Sequence, residues 1–79
     1  PVHVLVVPKK HYDNIIDGIP ANTLESVTKA IAAVTEKTGI KGSGFRVITN
    51  TGEHGGQSIN HVHFHVLGGR QLDDSMGEE

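Results

Sequence analysis

The chain contains, at residues 56–70, the stretch GQSINHVHFHVLGGR, in which histidine alternates with apolar residues. A β-strand sends successive side chains to opposite faces of its sheet. The alternation therefore predicts a strand over residues 58–67, with one polar face and one apolar face. The polar face would carry three imidazoles, those of His61, His63 and His65. The apolar face would pack Val62, Phe64 and Val66 into the core.

A face lined by imidazoles suits two kinds of chemistry. In the first, one neutral imidazole attacks phosphorus and carries a nucleotidyl group covalently, while its neighbours fix its tautomer and neutralise the phosphate charge. In the second, two histidines of a His-x-His pair bind a metal ion together with a third ligand from elsewhere. Same-face residues are about 6.6 Å apart along a strand, so three in a row reach one ion poorly. This geometry favours the first chemistry, and the second stays open.

The loop before the histidines, TGEHGG at residues 51–56, contains three glycines. Glycine adopts the backbone conformations that let successive N–H groups point toward an anion. A serine hydroxyl follows directly and can also bond a phosphate oxygen. We therefore expect a phosphate to meet the chain at Gly56, Gln57 and Ser58.

The rest of the chain predicts two more strands and one helix. Residues 2–7 are β-branched or apolar except for His3, and Pro8 follows, so we expect an inner strand covered on both faces. Residues 9–20 have the composition of a connection. Residues 45–51 alternate as a strand does, with Asn50 as a turn residue at its end.

The helix is predicted over residues 22–38. Asn22 and Glu25 have the spacing of a capping box, and Gly39 stands where a left-handed residue would end the helix. An apolar stripe at helical spacing predicts a face that packs in the core or against a second subunit. Its members are Leu24, Val27, Ile31 and Val34. Taken alone, His3 is expected to be a core histidine, and His11 and His54 to be loop residues.

Length and composition exclude several classes of protein. A chain of 79 residues is one small domain or part of one. It has 0 cysteines, which excludes a disulfide scaffold and a thiolate zinc site. A net charge of −2 disfavours general nucleic-acid binding. No apolar run approaches the roughly 18 residues of a membrane span, and we expect a cytoplasmic protein without a membrane partner.

The stretch at residues 56–70 resembles the signature of the histidine triad (HIT) superfamily, His-x-His-x-His with apolar flanks. The sequences GGQS before the histidines and LGGR after them are similar to the Hint branch in particular. The segments HVLVVPKKH, residues 3–11, and FRVITN, residues 45–50, are also similar to that branch. The resemblance extends over residues 2–70, and the combination of motifs is highly specific.

The resemblance implies a nucleotide phosphoramidase or hydrolase that cleaves a purine nucleoside 5′-monophosphate from an amine or other leaving group. The implied reaction passes through a nucleotidyl-histidine and is expected to need neither a metal nor a cofactor. By position, His63 is implied to be the nucleophile, with His65 on the phosphate and His61 shaping the site. The other implied site residues are His3, which orients the nucleophile; Ser58 with the amides of Gly56 and Gln57, on the phosphate or leaving group; and Asn50, on the ribose-phosphate.

The resemblance also implies an α+β fold, in which an antiparallel sheet packs against one main amphipathic helix. Family members carry a further helix and hairpin ahead of His3, so we expect residues 1–79 to be a single HIT domain that is incomplete at its N-terminus. Residues 71–79 are expected to be a flexible tail. The family pairs two subunits through the helix and a strand, which implies a homodimer.

Two other functions stay open at this point. The chain would be a nucleotide-binding or scaffolding module without turnover if its missing base pocket made the chemistry vestigial. It would be a His-based zinc-binding protein if the imidazoles bound a metal ion instead of a phosphate.

Overall fold

The computed structural model describes residues 1–73, which form an α+β fold of three strands and one helix. In chain order these are β1 (Val2–Val6), α1 (Ala21–Lys37), β2 (Phe45–Ile48) and β3 (Phe64–Gly68). The predicted fold class is confirmed. The predicted flexible tail, residues 71–79, lies largely outside the described residues.

The three strands form one antiparallel sheet in the order β1-β3-β2. His65 in the central strand lies opposite Leu5 of β1 on one side and Ile48 of β2 on the other. The prediction of an inner first strand is wrong for the described residues, because β1 pairs only with β3 there. Leu5 is 54% exposed, so the apolar residues of β1 are not covered on both faces.

The third strand begins at Phe64 and not at residue 58 as predicted. Its partner β1 ends at Val6, opposite Phe64, and Pro8 follows without an N–H group to continue the ladder. The other partner, β2, ends at Ile48 instead of continuing to residue 51. Residues 58–63 therefore lack a strand partner. Of the triad His61, His63 and His65, the first two lie outside the sheet.

The helix begins at Ala21, one residue before the prediction, and its N-cap is Pro20. No side chain caps this end, so the capping box predicted for Asn22 and Glu25 is wrong. Asn22 already lies inside the first turn, where its side chain is too far along the helix to act as N-cap.

The C-terminal end of the helix follows the prediction. Gly39 has a φ of 78°, in the left-handed region that glycine adopts without strain. Its N–H donates to the Glu36 carbonyl at 3.2 Å, and the Ile40 N–H donates to the Thr35 carbonyl at 3.0 Å. This pair of bonds is the Schellman motif, which satisfies two helix carbonyls and turns the chain toward β2.

The core lies between the helix and the apolar face of the sheet. Val62, Phe64 and Val66 are buried in it, together with Val27 of α1 and Tyr12 of the connection. Of the predicted apolar stripe, Val27 is buried, Ile31 and Val34 are partly buried, and Leu24 is 37% exposed. No helix in residues 1–73 has the length and apolarity that crossing a bilayer requires.

Gly68, the last residue of β3, packs against Ile40. A Cβ at Gly68 would lie 2.8 Å from Ile40 Cδ1 and 3.2 Å from Ile40 Cβ. We expect Gly68→Ala to lower the free energy of unfolding by about 1–3 kcal/mol, because the added methyl overpacks this contact. Urea unfolding of the chain followed by circular dichroism measures the change.

Gly42→Ala is the matched control, since a Cβ at Gly42 meets nothing within 4 Å. Its unfolding free energy should stay within about 0.5 kcal/mol of the original chain. Equal urea midpoints for the two variants would contradict the packing argument.

Candidate active site

The alternation of the histidine stretch is confirmed, although only part of it is a strand. His61, His63 and His65 are half-buried, while Val62 and Val66 between and after them are 1% and 0% exposed. The rings of His63 and His65 lie edge to face, with centroids 5.1 Å apart and planes at 72°. The buried apolar residues thus hold the imidazoles together at one surface.

The imidazole of His63 has a defined hydrogen bond. Its Nδ1 lies 2.8 Å from the carbonyl oxygen of His61. A carbonyl only accepts, so His63 Nδ1 must carry the proton, and in the neutral ring Nε2 keeps its lone pair. The His63 carbonyl in turn accepts from Thr49 Oγ1 at 2.8 Å. This arrangement leaves an unprotonated ring nitrogen, Nε2, on a residue whose backbone is also held.

His65 pairs with His3 across the sheet. His3 Nε2 and His65 Nδ1 are 2.8 Å apart, and the ring centroids are 5.0 Å apart. His3 lies opposite Leu67, so it is the diagonal neighbour of His65. The expectation of a core histidine is wrong, because His3 is exposed. Its implied role in orienting the nucleophile stays a prediction, since the described bond is to His65 and not to His63.

In the glycine loop, residues 51–56, backbone N–H groups bond to carbonyls of the same loop. The Gly55 and Gln57 N–H groups donate to the Gly52 carbonyl at 3.2 and 2.9 Å, and the Gly56 N–H donates to the Glu53 carbonyl at 3.1 Å. Gly55 has no room for a side chain, since a Cβ there would collide with the Thr51 carbonyl oxygen. A phosphate that binds these amides must compete with bonds inside the loop, and this predicted contact stays a prediction.

The Gln57 side chain connects three segments. Its Oε1 accepts from the Gly52 N–H at 2.9 Å, and its Nε2 donates to the carbonyls of Asp13 and Ile59 at 2.6 and 3.0 Å. The phosphate contact predicted for the Gln57 backbone amide stays a prediction, while the side chain of the same residue holds the loop.

The remaining predicted site residues are Asn50 and Ser58. Asn50 Nδ2 donates to the Gly55 carbonyl at 2.8 Å, so it also supports the glycine loop. Ser58 is exposed between Gln57 and the triad. The implied roles of both residues in binding a nucleotide stay predictions.

A second set of residues at the site is not evident from the sequence. The His11 ring stacks on the His61 ring, with centroids 4.8 Å apart and planes at 11°. The Tyr12 carbonyl accepts the Val62 N–H at 2.6 Å and lies 3.4 Å from His61 Nδ1. The histidine at position 11 is the only sequence signal for this contact, because nothing local connects residues 11–13 to the triad.

Metal binding finds no support in the described residues. Across residues 1–73, no group of three or more His, Cys, Asp or Glu side chains could hold a metal ion. The imidazoles instead bond to each other, to carbonyls or to a carboxylate.

A family model for the HIT domain matches residues 1–72. The chain belongs to the HIT family. It is 39% identical over 75 residues to an uncharacterised HIT-like protein of Rickettsia prowazekii, covering 91% of this chain and 62% of that protein. The chain thus spans less than two thirds of that relative's length.

Solved structures of HIT proteins share the fold. A histidine triad protein from Clostridium difficile superposes with a TM-score of 0.83 at 43% identity, over 94% of this chain and 66% of that one. A HIT family hydrolase from Clostridium thermocellum superposes with a TM-score of 0.86 at 40% identity, over 96% of this chain and 68% of that one. The three-stranded sheet and its helix are therefore those of the HIT domain.

The contacts of Gln57 predict a structural role that can be measured. We expect Gln57→Leu to lower the free energy of unfolding by about 1 kcal/mol. It should also speed amide exchange at Gly52, because leucine has no oxygen to accept the Gly52 N–H. Urea unfolding and exchange followed by NMR provide the two readouts.

Ser58→Ala is the neighbouring control for stability. Its side chain is exposed, so both readouts should stay near those of the original chain. Unchanged amide exchange at Gly52 in Gln57→Leu would contradict the role of the Gln57 side chain in holding the loop.

Proposed function

We propose that this HIT chain carries the catalytic part of a nucleotide hydrolase that acts as a phosphoramidase. The observation that supports it most is the bond from His63 Nδ1 to the His61 carbonyl, which leaves Nε2 of a half-buried imidazole as the nucleophile. The similarity to a HIT family hydrolase agrees with a hydrolytic reaction. Preference for a purine nucleoside 5′-monophosphate rests on the family resemblance.

In the proposed first step, His63 Nε2 attacks the phosphorus of a nucleoside 5′-phosphoramidate. The new N–P bond forms as the bond between phosphorus and the leaving amine breaks, and the amine departs with a proton from a neighbouring acid. The paired imidazoles of His3 and His65 offer that proton.

In the second step, water attacks the phosphorus of the nucleotidyl-histidine. The bond between phosphorus and His63 Nε2 breaks, the nucleoside monophosphate leaves, and the water proton returns to the imidazole pair. The chemistry is thus divided into two displacements that use the same nitrogen. Hydrogen bonds from the flanking histidines to the phosphate oxygens would stabilise both transition states.

The nucleophile can be tested with adenosine 5′-phosphoramidate. We expect His63→Ala to reduce AMP release by at least about a thousandfold, as removal of other covalent nucleophiles does. Mass spectrometry after a quench with mild denaturant should find the nucleotidyl adduct on His63 in the original chain. The quench avoids acid because the N–P bond to histidine is acid-labile.

His54→Ala is the control, since His54 is an exposed loop histidine outside the triad. It should retain the adduct on His63. An adduct that maps to another histidine would overturn the assigned nucleophile. AMP binding without AMP release or adduct in the original chain would overturn turnover and favour the nucleotide-binding or scaffolding module.

We further propose a symmetric homodimer, which in the family forms through the helix and a strand. In the described residues β2 is an edge strand, and its Phe45 and Val47 are 42% and 41% exposed. Pairing of two such edges across a two-fold axis would cover these side chains and the free backbone groups.

A cytoplasmic location stays a prediction from the sequence.

Sedimentation velocity at micromolar concentration tests the dimer. We expect the original chain to sediment as a dimer and Val47→Lys as a monomer, because the ammonium would be buried at the paired edge. Ile16→Lys is the control and should remain a dimer, since Ile16 is 81% exposed in the connection before α1. A monomeric original chain would refute the assembly.

A further inference from the structure

Residues 11–13, in the connection between β1 and α1, lie against the first triad histidine. The His11 ring stacks almost parallel to the His61 ring, with the centroids 4.8 Å apart. This separation is within the range of attractive aromatic pairs. His11 Nε2 donates to Asp13 Oδ1 at 2.8 Å, so the carboxylate fixes one nitrogen of the stacked ring. Both side chains are 63% exposed, which makes them accessible to substitution without opening the core.

The backbone of the same segment holds the chain on both sides of His61. The Tyr12 carbonyl accepts the Val62 N–H at 2.6 Å, and the Asp13 carbonyl accepts Gln57 Nε2 at 2.6 Å. The Asp13 N–H donates to Asp17 Oδ2 at 2.9 Å, which closes the turn that presents these carbonyls. Residues 11–13 therefore contact both the triad and the glycine loop.

The position of His61 matters because its carbonyl selects the tautomer of the nucleophile. His61 precedes β3, so no bond of the sheet ladder holds it. Its own N–H donates to the nearby Ile59 carbonyl at 2.8 Å, which is a local turn and not an anchor to the sheet. Within residues 1–73, the contacts that connect His61 to a distant part of the chain are those with His11 and Tyr12.

We propose that His11 is a positioning residue of the triad. Its ring, held by Asp13, packs on His61. This contact keeps the His61 carbonyl where it accepts the hydrogen bond from His63 Nδ1. His11 acts through His61 and needs no contact with the substrate. The effect on turnover rests on the proposed phosphoramidase function, whereas the effect on the position of His61 does not.

The stacking contact on which the positional effect depends is tested by NMR of the imidazole C–H groups in the full chain. Stacking places the His61 ring protons in the shielding region of the His11 ring, so His11→Ala should move the His61 signals downfield. His11→Phe keeps an aromatic ring at the position and should restore the upfield shift. His54→Ala removes a histidine elsewhere in the chain and should leave the His61 signals unchanged.

The functional effect is tested by steady-state kinetics with adenosine 5′-phosphoramidate. We expect His11→Ala to lower kcat by about tenfold to a hundredfold, as small misplacement of a reacting group does, with KM changing much less. His11→Phe should recover most of the loss. A KM increase at unchanged kcat would overturn the proposal, because it would place His11 on the substrate.

The two readouts separate failure of this proposal from failure of the proposed function. If the original chain shows no turnover, the NMR comparison decides alone, and unchanged His61 signals in His11→Ala overturn the positioning role. If His11→Phe restores the signals but not kcat, stacking is not the cause and the proposal is overturned. If His11→Ala does not fold, His11→Phe decides. The proposal is supported if this variant has the His61 signals and the kcat of the original chain. It is overturned if the His61 signals are those of the original chain but kcat is lost.

Discussion

The burial of Val62, Phe64 and Val66 is the constraint on which the site depends. These side chains occupy the space between the sheet and the helix, and Val62 and Val66 are almost completely inaccessible. Every second residue of this stretch is an imidazole, so fixing the apolar residues in the core also fixes the histidines at the surface. A change that weakened the core here would displace the imidazole of His63, because the same short segment provides both the buried side chains and the histidines.

Strand β3 begins between His63 and His65, so the three histidines of the triad are held by different kinds of contact. His65 is part of β3 and is held between β1 and β2. His63 and His61 precede the strand, and their support comes from the Thr49 hydroxyl, the Tyr12 carbonyl and the His11 ring. Such a site combines one rigid member with two whose geometry depends on loop contacts. Loop contacts of this kind open at lower free energy than the ladder of a sheet.

Much of the fold was predictable from local patterns. The α+β class, the helix with its end at Gly39, and the alternation of buried and half-buried residues around the histidines all follow from periodicity and from glycine at a left-handed position. The capping box at Asn22 was wrong because the helix begins earlier, after Pro20. The inner position of β1 and the start of β3 at residue 58 were also wrong, since both depend on which strands are available as partners.

The sequence by itself determined the family and the candidate site residues, through the spacing of His61, His63 and His65 and the glycines before them. Only the tertiary structure decided how the imidazoles are held, because their partners are distant along the chain. His3 meets His65 through the pairing of β1 with β3, and His11 meets His61 through the fold of the intervening connection. Side-chain periodicity is a local property of the backbone, whereas hydrogen bonds and ring stacking between such residues exist only after the core has brought the segments together.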